Sequence, residues 1–235
     1  MSIPSAPAGL ARRMGRLFGG EGGISIVVAM DHGIVGVPAG FADARALIAS
    51  IVAARPDGIL LNAGQARRTA DLLARRDSPA LVLALDHVLH RENRGGGPSV
   101  AHVPQIAIEE AVRLGADAVK TMLNMGQPDR RAFAENVSAL ARFAEDCRRW
   151  EMPLMIEPYL WGEAVPADPV ARAEMNADGA RIAVELGADI LKVEVGADPE
   201  RFRTLVAASP VPVVVLGGPK RATQRETLEI GRAHV

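Results

Sequence analysis

The stretch LGADILKVEV, residues 186–195, joins the end of an amphipathic segment to a short apolar and β-branched run. The letters LGAD also occur at residues 114–117, where the apolar run AVKTM, residues 118–122, follows them. In both places a glycine is expected to end a helix before the chain enters a strand. This repeated junction is typical of successive βα units around a parallel sheet.

Seven strand-like runs alternate with longer amphipathic segments along the chain. Their apolar character suits strands that are buried on both faces, as in a parallel sheet covered by helices. The single-helix crossovers and the length of 235 residues favour one α/β domain, a (β/α)8 TIM barrel, over an open seven-stranded sheet. The strands are expected at residues 24–30, 58–61, 80–85, 118–122, 153–157, 189–195 and 211–216, and the helices at residues 41–54, 65–76, 104–114, 130–150, 169–186 and 199–208.

The two ends of the chain carry expectations of their own. Residues 1–22 are expected to be an N-terminal extension of a single barrel domain spanning residues 1–235. Residues 229–235 can be back-translated into a common sequencing-adapter sequence that runs into a stop codon, so we expect a non-native tail. Because no eighth strand follows the seventh unit, the sequence predicts a barrel truncated at its C-terminal end, with about seven βα units present.

The composition bears on partners and location. A formal net charge of −1 and a sequence pI near 6.5 leave no basic surplus for binding nucleic acid. Cys147 is the only cysteine, so no intrachain disulfide can form and a cytoplasmic location is expected. The first twenty residues contain no continuous apolar segment, so we predict neither a signal peptide nor a membrane partner.

Lysine is rare in this chain, and its positions are informative. Of the 27 basic residues only Lys120, Lys192 and Lys220 are lysine, and only lysine can act as an amine nucleophile. Period-two alternation predicts that Ile190, Lys192 and Glu194 face the same side of a buried strand. Burial and a second cation, which Lys120 could supply, disfavour an ammonium ion and favour a neutral nucleophile. The alternative is a buried Lys192–Glu194 ion pair with a structural role.

Other polar residues follow the predicted strands at the end where barrel active sites lie. Glu157 and Tyr159 are predicted to point inward and exchange a proton with a substrate hydroxyl. Asp31 follows the first strand, where it could accept a hydrogen bond from a sugar hydroxyl or cap the next turn. After the seventh strand comes a glycine-rich turn suited to binding phosphate; its residues are Gly217, Gly218 and Lys220.

One long connection, residues 86–103, interrupts the regular pattern. It contains three consecutive glycines at residues 95–97, and it is interpreted either as a lid or binding loop or as a disordered segment. Asp86, His87 and His90 could ligate a metal, but their spacing fits no common site, so we predict no metal.

Taken together, these motifs resemble the class I aldolase superfamily of archaeal-type fructose-bisphosphate aldolase, tagatose-bisphosphate aldolase and deoxyribose-phosphate aldolase. MDHG at residues 30–33 and GVPAGF at 36–41 are similar to the opening of archaeal aldolases and aminodideoxyheptulosonate synthases. GGPK at 217–220 is similar to their phosphate turn, and LKVEV at 191–195 is closer to tagatose-bisphosphate aldolase. The connection after Asp86 departs from the archaeal pattern.

The resemblance implies a Schiff base on Lys192. It also implies that Lys120 and Glu157 assist the iminium chemistry, as in tagatose-bisphosphate aldolase, while Tyr159 matches the active-site tyrosine of the archaeal enzymes. The choice between Glu157 and Tyr159 as acid/base stays open.

The predicted function is that of an aldehyde-lyase that cleaves or forms a C–C bond in a phosphorylated ketose, without a cofactor. The predicted partner is a sugar phosphate, and the full-length chain is expected to be a homo-oligomer. One alternative is an aminodideoxyheptulosonate synthase or a thiolase-like relative on the same barrel. The others are a metal-dependent lyase using Asp86, His87 and His90, and an inactive fragment.

Overall fold

The computed structural model describes residues 6–34, 40–89, 101–196 and 198–216. Within these ranges seven parallel strands form one curled sheet, and an antiparallel hairpin contacts it. In spatial order the sheet strands are β1 (Val27–Ala29), β2 (Gly58–Leu61), β3 (Ala80–Ala84), β6 (Ala118–Asn124), β7 (Leu154–Tyr159), β8 (Ile190–Val193) and β9 (Val213–Val215). The hairpin strands are β4 (Asp86–Leu89) and β5 (Ala101–Pro104).

Helices connect successive strands and cover the outside of the sheet. They are α1 (Ala8–Phe18), α2 (Ala44–Ala53), α3 (Ala63–Arg68), α4 (Ala70–Leu73), α5 (Ile108–Arg113), α6 (Arg130–Trp150), α7 (Pro169–Glu185) and α8 (Pro199–Ala208), with 3-10 turns at Glu21–Gly23 and Asp31–Ile34. None of the helices in the described ranges is both long enough and apolar enough to cross a membrane.

The two LGAD junctions have the same structure, in which the glycine and the aspartate each have a role. Gly115 and Gly187 have φ angles of +75° and +98°, a left-handed conformation that ends α5 and α7. The aspartate that closes each junction then accepts a hydrogen bond from the backbone N–H of the neighbouring strand. Asp117 accepts from Leu81 at 2.9 Å, and Asp189 accepts from Leu154 at 3.0 Å.

Alternation along the strands divides the core into two clusters. On β2, Ile59 and Leu61 belong to the cluster between the sheet and the helices, whereas Leu60 belongs to an inner cluster enclosed by the curled sheet. Ala118 on β6 and Ile190 on β8 are also in the inner cluster. Because side chains two residues apart share a face, Lys120 and Lys192 follow these residues into the interior.

Helix α1 covers the N-terminal end of the sheet. Leu17 is 1% exposed and packs into the inner cluster. Arg16 Nε lies 2.8 Å from Asp117 Oδ1, and the backbone N–H of Gly9 donates to Glu151 Oε2 at 2.6 Å. The stretch 1–22, predicted only as an extension, therefore contains a helix that packs against the barrel.

The predicted strands and helices are found close to their predicted positions. The bounds of α6 and α8 match the prediction residue for residue, while the predicted helix 65–76 is divided into α3 and α4. The prediction of an irregular connection at residues 86–103 was wrong at both ends, because residues 86–89 form β4 and the other end lies in β5. Residues 90–100 lie outside the described ranges.

Candidate active site

Four charged residues lie together inside the curled sheet, on three of its strands and just after a fourth. Asp31 follows β1, Lys120 lies on β6, Glu157 on β7 and Lys192 on β8. Glu157 lies two residues after Met155 of the inner cluster, as the lysines do after Ala118 and Ile190, so alternation directs all three inward. A charged layer therefore lies above the apolar inner cluster.

Glu157 is the centre of this layer. Its Oε2 atom accepts a hydrogen bond from Lys192 Nζ at 2.9 Å and lies 2.9 Å from Lys120 Nζ. Asp31 Oδ2 lies 3.6 Å from Lys120 Nζ on another side. The predicted residues Asp31, Lys120, Glu157 and Lys192 are thus brought into one network by four different strands or strand ends.

The two lysines differ in their access to a ligand. The side chain of Lys120 is 0% exposed, whereas that of Lys192 is 16% exposed. Lys192 is therefore the more accessible of the two amines, while Lys120 is enclosed.

Electrostatics keeps Glu157 and Lys120 ionised. Burial by itself favours a neutral Glu157, but the two ammonium groups outweigh it and lower the pKa of Glu157 to about 2. Burial likewise disfavours the charged form of Lys120, yet Glu157, Asp31 and Asp86 together raise the pKa of Lys120 above its ordinary value. At neutral pH Glu157 is a carboxylate and Lys120 an ammonium ion.

Tyr159 stands at the end of β7, two residues beyond Glu157. Burial, and to a lesser degree the charge of Glu157, raise the pKa of Tyr159 to about 12, so its phenol carries a proton at neutral pH. Its ring stacks on Trp161, with ring centroids 6.3 Å apart and an interplanar angle of 11°. Trp161 did not feature in the sequence prediction.

A family model described as DeoC/LacD family aldolase matches residues 25–231. The chain belongs to the DeoC/LacD aldolase family. A crystal structure of an archaeal fructose 1,6-bisphosphate aldolase is 31% identical, with a TM-score of 0.77 over 95% of this chain and 86% of that one. The predicted barrel fold and class I aldolase assignment are confirmed.

Two curated relatives show the range of named activities around this aldolase. A class 1 fructose-bisphosphate aldolase of Thermoproteus tenax is 34% identical over 230 residues, 94% of this chain and 81% of the relative. A 2-amino-4,5-dihydroxy-6-oxo-7-(phosphonooxy)heptanoate synthase of Streptomyces griseus is 30% identical over 228 residues, 96% of this chain and 78% of the relative.

Asp86 of the aldolase, considered above as a metal ligand, is bound by the protein itself. Its Oδ2 atom accepts hydrogen bonds from the Thr121 hydroxyl and, at 3.0 Å, from the backbone N–H of Met122. His102 Nε2 of the hairpin lies 2.8 Å from the same oxygen. The described residues contain no group of three His, Cys, Asp or Glu side chains that could hold a metal ion. His90 lies outside these residues.

The prediction that Glu194 shares the interior with Lys192 was wrong. Strand β8 ends at Val193, so the alternation does not continue, and Glu194 faces α7 instead. There Arg172 donates to both of its carboxylate oxygens, at 2.7 Å and 3.3 Å. The buried partner of Lys192 in the aldolase is Glu157.

The predicted phosphate turn of the aldolase cannot be placed. Its residues Gly217, Gly218 and Lys220 lie just beyond Leu216, the last residue of the described ranges. His102 and Thr121 were not singled out in the sequence, and no local pattern connects either residue with Asp86.

Proposed function

We propose that this aldolase cleaves or forms the C3–C4 bond of a phosphorylated ketose through a Schiff base on Lys192. The observation that carries the proposal is the Lys192–Glu157–Lys120 arrangement. It presents one partly exposed amine, one buried carboxylate and one buried cation within hydrogen-bonding distance. The solved aldolase described as having its catalytic lysine bound to a carbinolamine intermediate, 31% identical to this chain, supports the same chemistry.

The reaction begins when the neutral amine of Lys192 attacks the ketose carbonyl. The resulting carbinolamine loses water and becomes a protonated imine. A base then takes the C4 hydroxyl proton, the C3–C4 bond breaks, and its electron pair moves into the imine to give an enamine. After the aldehyde leaves, the enamine gains a proton at C3, and water hydrolyses the imine to release the ketone and free Lys192.

Lys120 and Asp31 support the first step. Lys120 Nζ lies 2.9 Å from the same Glu157 oxygen that accepts from Lys192 Nζ, so Lys120 holds the carboxylate that is bonded to the attacking amine. Asp31 lies 3.6 Å from Lys120 Nζ, at a strand end, where it can hold Lys120 and orient substrate hydroxyls.

Two residues are placed to act as the acid/base, and they differ in protonation state. Glu157 is a carboxylate within hydrogen-bonding distance of Lys192 Nζ, which suits proton exchange during formation of the imine. Tyr159 is a protonated phenol two residues further along the chain, which suits donation of a proton to the C4 oxygen in the condensation direction.

The proposed substrate is a sugar phosphate whose phosphate binds at Gly217, Gly218 and Lys220. The position of this turn, directly after β9, agrees with the usual phosphate sites of barrels, which are built from the last strand–helix loops. A second candidate activity is 2-amino-3,7-dideoxy-D-threo-hept-6-ulosonate synthesis. It is favoured by an Archaeoglobus fulgidus relative of that name, which is 31% identical over 90% of this chain. Both candidates require an imine on Lys192.

Borohydride reduction in the presence of dihydroxyacetone phosphate tests the proposal. The wild-type protein should gain the mass of a reduced adduct, and because the chain has three lysines, peptide mapping identifies the modified one. Lys192→Arg should abolish the adduct, since a guanidinium keeps the charge but cannot form an imine. Circular dichroism checks that the variant is folded. An adduct on Lys120, or no adduct with any ketose phosphate, would contradict the proposal.

A further inference from the structure

Trp161 is an exposed aromatic residue at the mouth of the barrel. It follows β7 by two residues and stacks on Tyr159, whose pKa responds to Glu157. Its side chain is nonetheless 41% exposed, so part of the indole surface remains in contact with water. An aromatic surface exposed beside an active site is available to pack against a ligand.

The loop that carries Trp161 is held by a close backbone contact. Gly162, with φ +126°, lies directly against Gly126 in the loop after β6, and a Cβ atom at either glycine would overlap the backbone of the other loop. Ala164 N–H donates to Gly126 O at 3.2 Å, and Met125 N–H donates to Tyr159 O at 3.0 Å. The two loops therefore hold each other in place, and the position of Trp161 is fixed by backbone.

The order of the strands shows on which side of Lys192 the residue Trp161 lies. Strand β8 carries Lys192 and lies between β7 and β9. Glu157, Tyr159 and Trp161 belong to β7 or its following loop. In the proposed function the C4 oxygen of a ketose bound at Lys192 lies beside Tyr159, so its C4–C6 carbons lie on the β7 side of Lys192.

We propose that Trp161 contacts the substrate and selects the aldehyde half of the ketose. With the C4 hydroxyl beside Tyr159, the next carbons lie against the exposed part of the indole. Their C–H groups, polarised by hydroxyl substituents, face the negative surface of the ring. This inference rests on the proposed function, because the direction of the chain depends on the imine at Lys192.

The test compares two acceptor aldehydes in the condensation direction with dihydroxyacetone phosphate as donor. Glycolaldehyde ends at the carbon that becomes C5, whereas glyceraldehyde 3-phosphate extends to C6 and its phosphate. Trp161→Ala should lower kcat/KM for glyceraldehyde 3-phosphate about tenfold more than for glycolaldehyde, since one aromatic contact is lost. Trp161→Phe keeps an aromatic face and should recover most of this difference.

Trp150 is the matched control, since it is the other tryptophan of the chain and is 39% exposed. It ends α6, and its backbone oxygen accepts a hydrogen bond from Arg13 of α1, at the opposite end of the barrel. Trp150→Ala should leave the ratio of kcat/KM values for the two aldehydes unchanged. In a Trp150→Phe protein, glyceraldehyde 3-phosphate added after trapping with dihydroxyacetone phosphate should alter the emission of Trp161.

The outcomes separate this inference from the proposed function. If wild-type protein forms no borohydride adduct with dihydroxyacetone phosphate, the proposed function fails, and the orientation argument fails with it. The other outcome is that the adduct forms in both wild type and Trp161→Ala, but the variant lowers kcat/KM for neither aldehyde, or for both by the same factor. The contact with the aldehyde half is then refuted, while the Schiff base stands.

Discussion

At the scale of single residues, the charged layer depends on Glu157. One carboxylate oxygen lies 2.9 Å from the Nζ atoms of both Lys120 and Lys192, and the side chain of Glu157 is 4% exposed. Removing one member of a buried ion pair leaves an uncompensated buried charge and lowers the free energy of unfolding by about 3–5 kcal/mol. This cost is larger than that of replacing the whole pair. Glu157 is therefore both a candidate acid/base and a major determinant of stability.

Glu157→Gln should destabilise the protein in a pH-dependent way. The pKa of Glu157 is lowered to about 2 in the folded protein, below the value near 4.5 of an unperturbed glutamate. The stability that its charge provides is fully present above pH 4.5 and is lost as pH falls toward 2. The difference in unfolding free energy between wild type and variant, measured by urea denaturation, should therefore shrink across this window.

Glu174→Gln is the matched control for this substitution. Glu174 is 60% exposed and pairs with Arg201 at 3.2 Å on the surface, so its replacement should change stability by less than about 1 kcal/mol at any pH. If the loss of unfolding free energy depends on pH equally in both variants, the two lysines do not stabilise the charge of Glu157 in the way described.

The sequence predicted the residues of the charged layer because alternation along a strand is a local rule. Lys120, Glu157 and Lys192 lie inside β6, β7 and β8, where that rule holds. It failed at Glu194, one residue past the end of β8, because strand ends are set by tertiary packing and not by local pattern. The contact of Asp86 with His102 could not be predicted either, since it depends on the register of a hairpin.

At the scale of elements, the hairpin of β4 and β5 is tied to the sheet by Asp86. Its carboxylate joins His102 of β5 to Thr121 and Met122 of β6, and the side chain of Asp86 is 0% exposed. A hydrogen bond to a charged group contributes about 1.5–3 kcal/mol. The hairpin is thus coupled directly to the strand that carries Lys120.

His102→Ala should loosen the hairpin while leaving the sheet intact. Amide hydrogens of residues 86–89 and 101–103 should exchange about tenfold faster, whereas those of β2 should be unchanged, because local opening is set by local contacts. Hydrogen exchange followed by mass spectrometry measures both regions. Val103→Thr, a substitution of similar shape at a neighbouring residue that is 38% exposed, should alter neither. Unchanged hairpin exchange in His102→Ala would contradict the coupling.

Elements with strong local signals were predicted well, and those without were not. Helix α6 begins after Asp129, a residue type that favours the N-cap position, and the Asp129 side chain accepts from Arg131 N–H. Its amphipathic pattern continues to Trp150, its last residue. Strands β4 and β5 have only four residues each and are separated in the sequence by a glycine-rich connection. No local pattern therefore indicates that they pair. Helix α1 was not predicted because it lies before the first strand, outside the alternating pattern of strands and helices.

At the scale of the whole molecule, the apolar inner cluster and the charged layer lie in different parts of the barrel interior. The inner cluster fills the N-terminal half of the interior, with Leu17 of α1 packed against it. The charged layer of Lys120, Glu157 and Lys192 follows the inner cluster along β6, β7 and β8, so we expect a change at Leu17 to leave this layer in place.

Leu17→Ala tests this separation. The side chain of Leu17 is 1% exposed, and its Cδ2 lies so near Gly58 that a Cβ atom there would be 3.1 Å away. Truncation should leave a cavity and destabilise the protein by about 3 kcal/mol in urea denaturation. Under conditions where the variant is folded, borohydride trapping on Lys192 should proceed at the wild-type rate, because no atom of the charged layer has moved. Arg12→Ala, on the exposed face of the same helix, should change neither quantity. If folded Leu17→Ala loses trapping in proportion to its loss of stability, the two ends of the barrel are coupled and the separation is wrong.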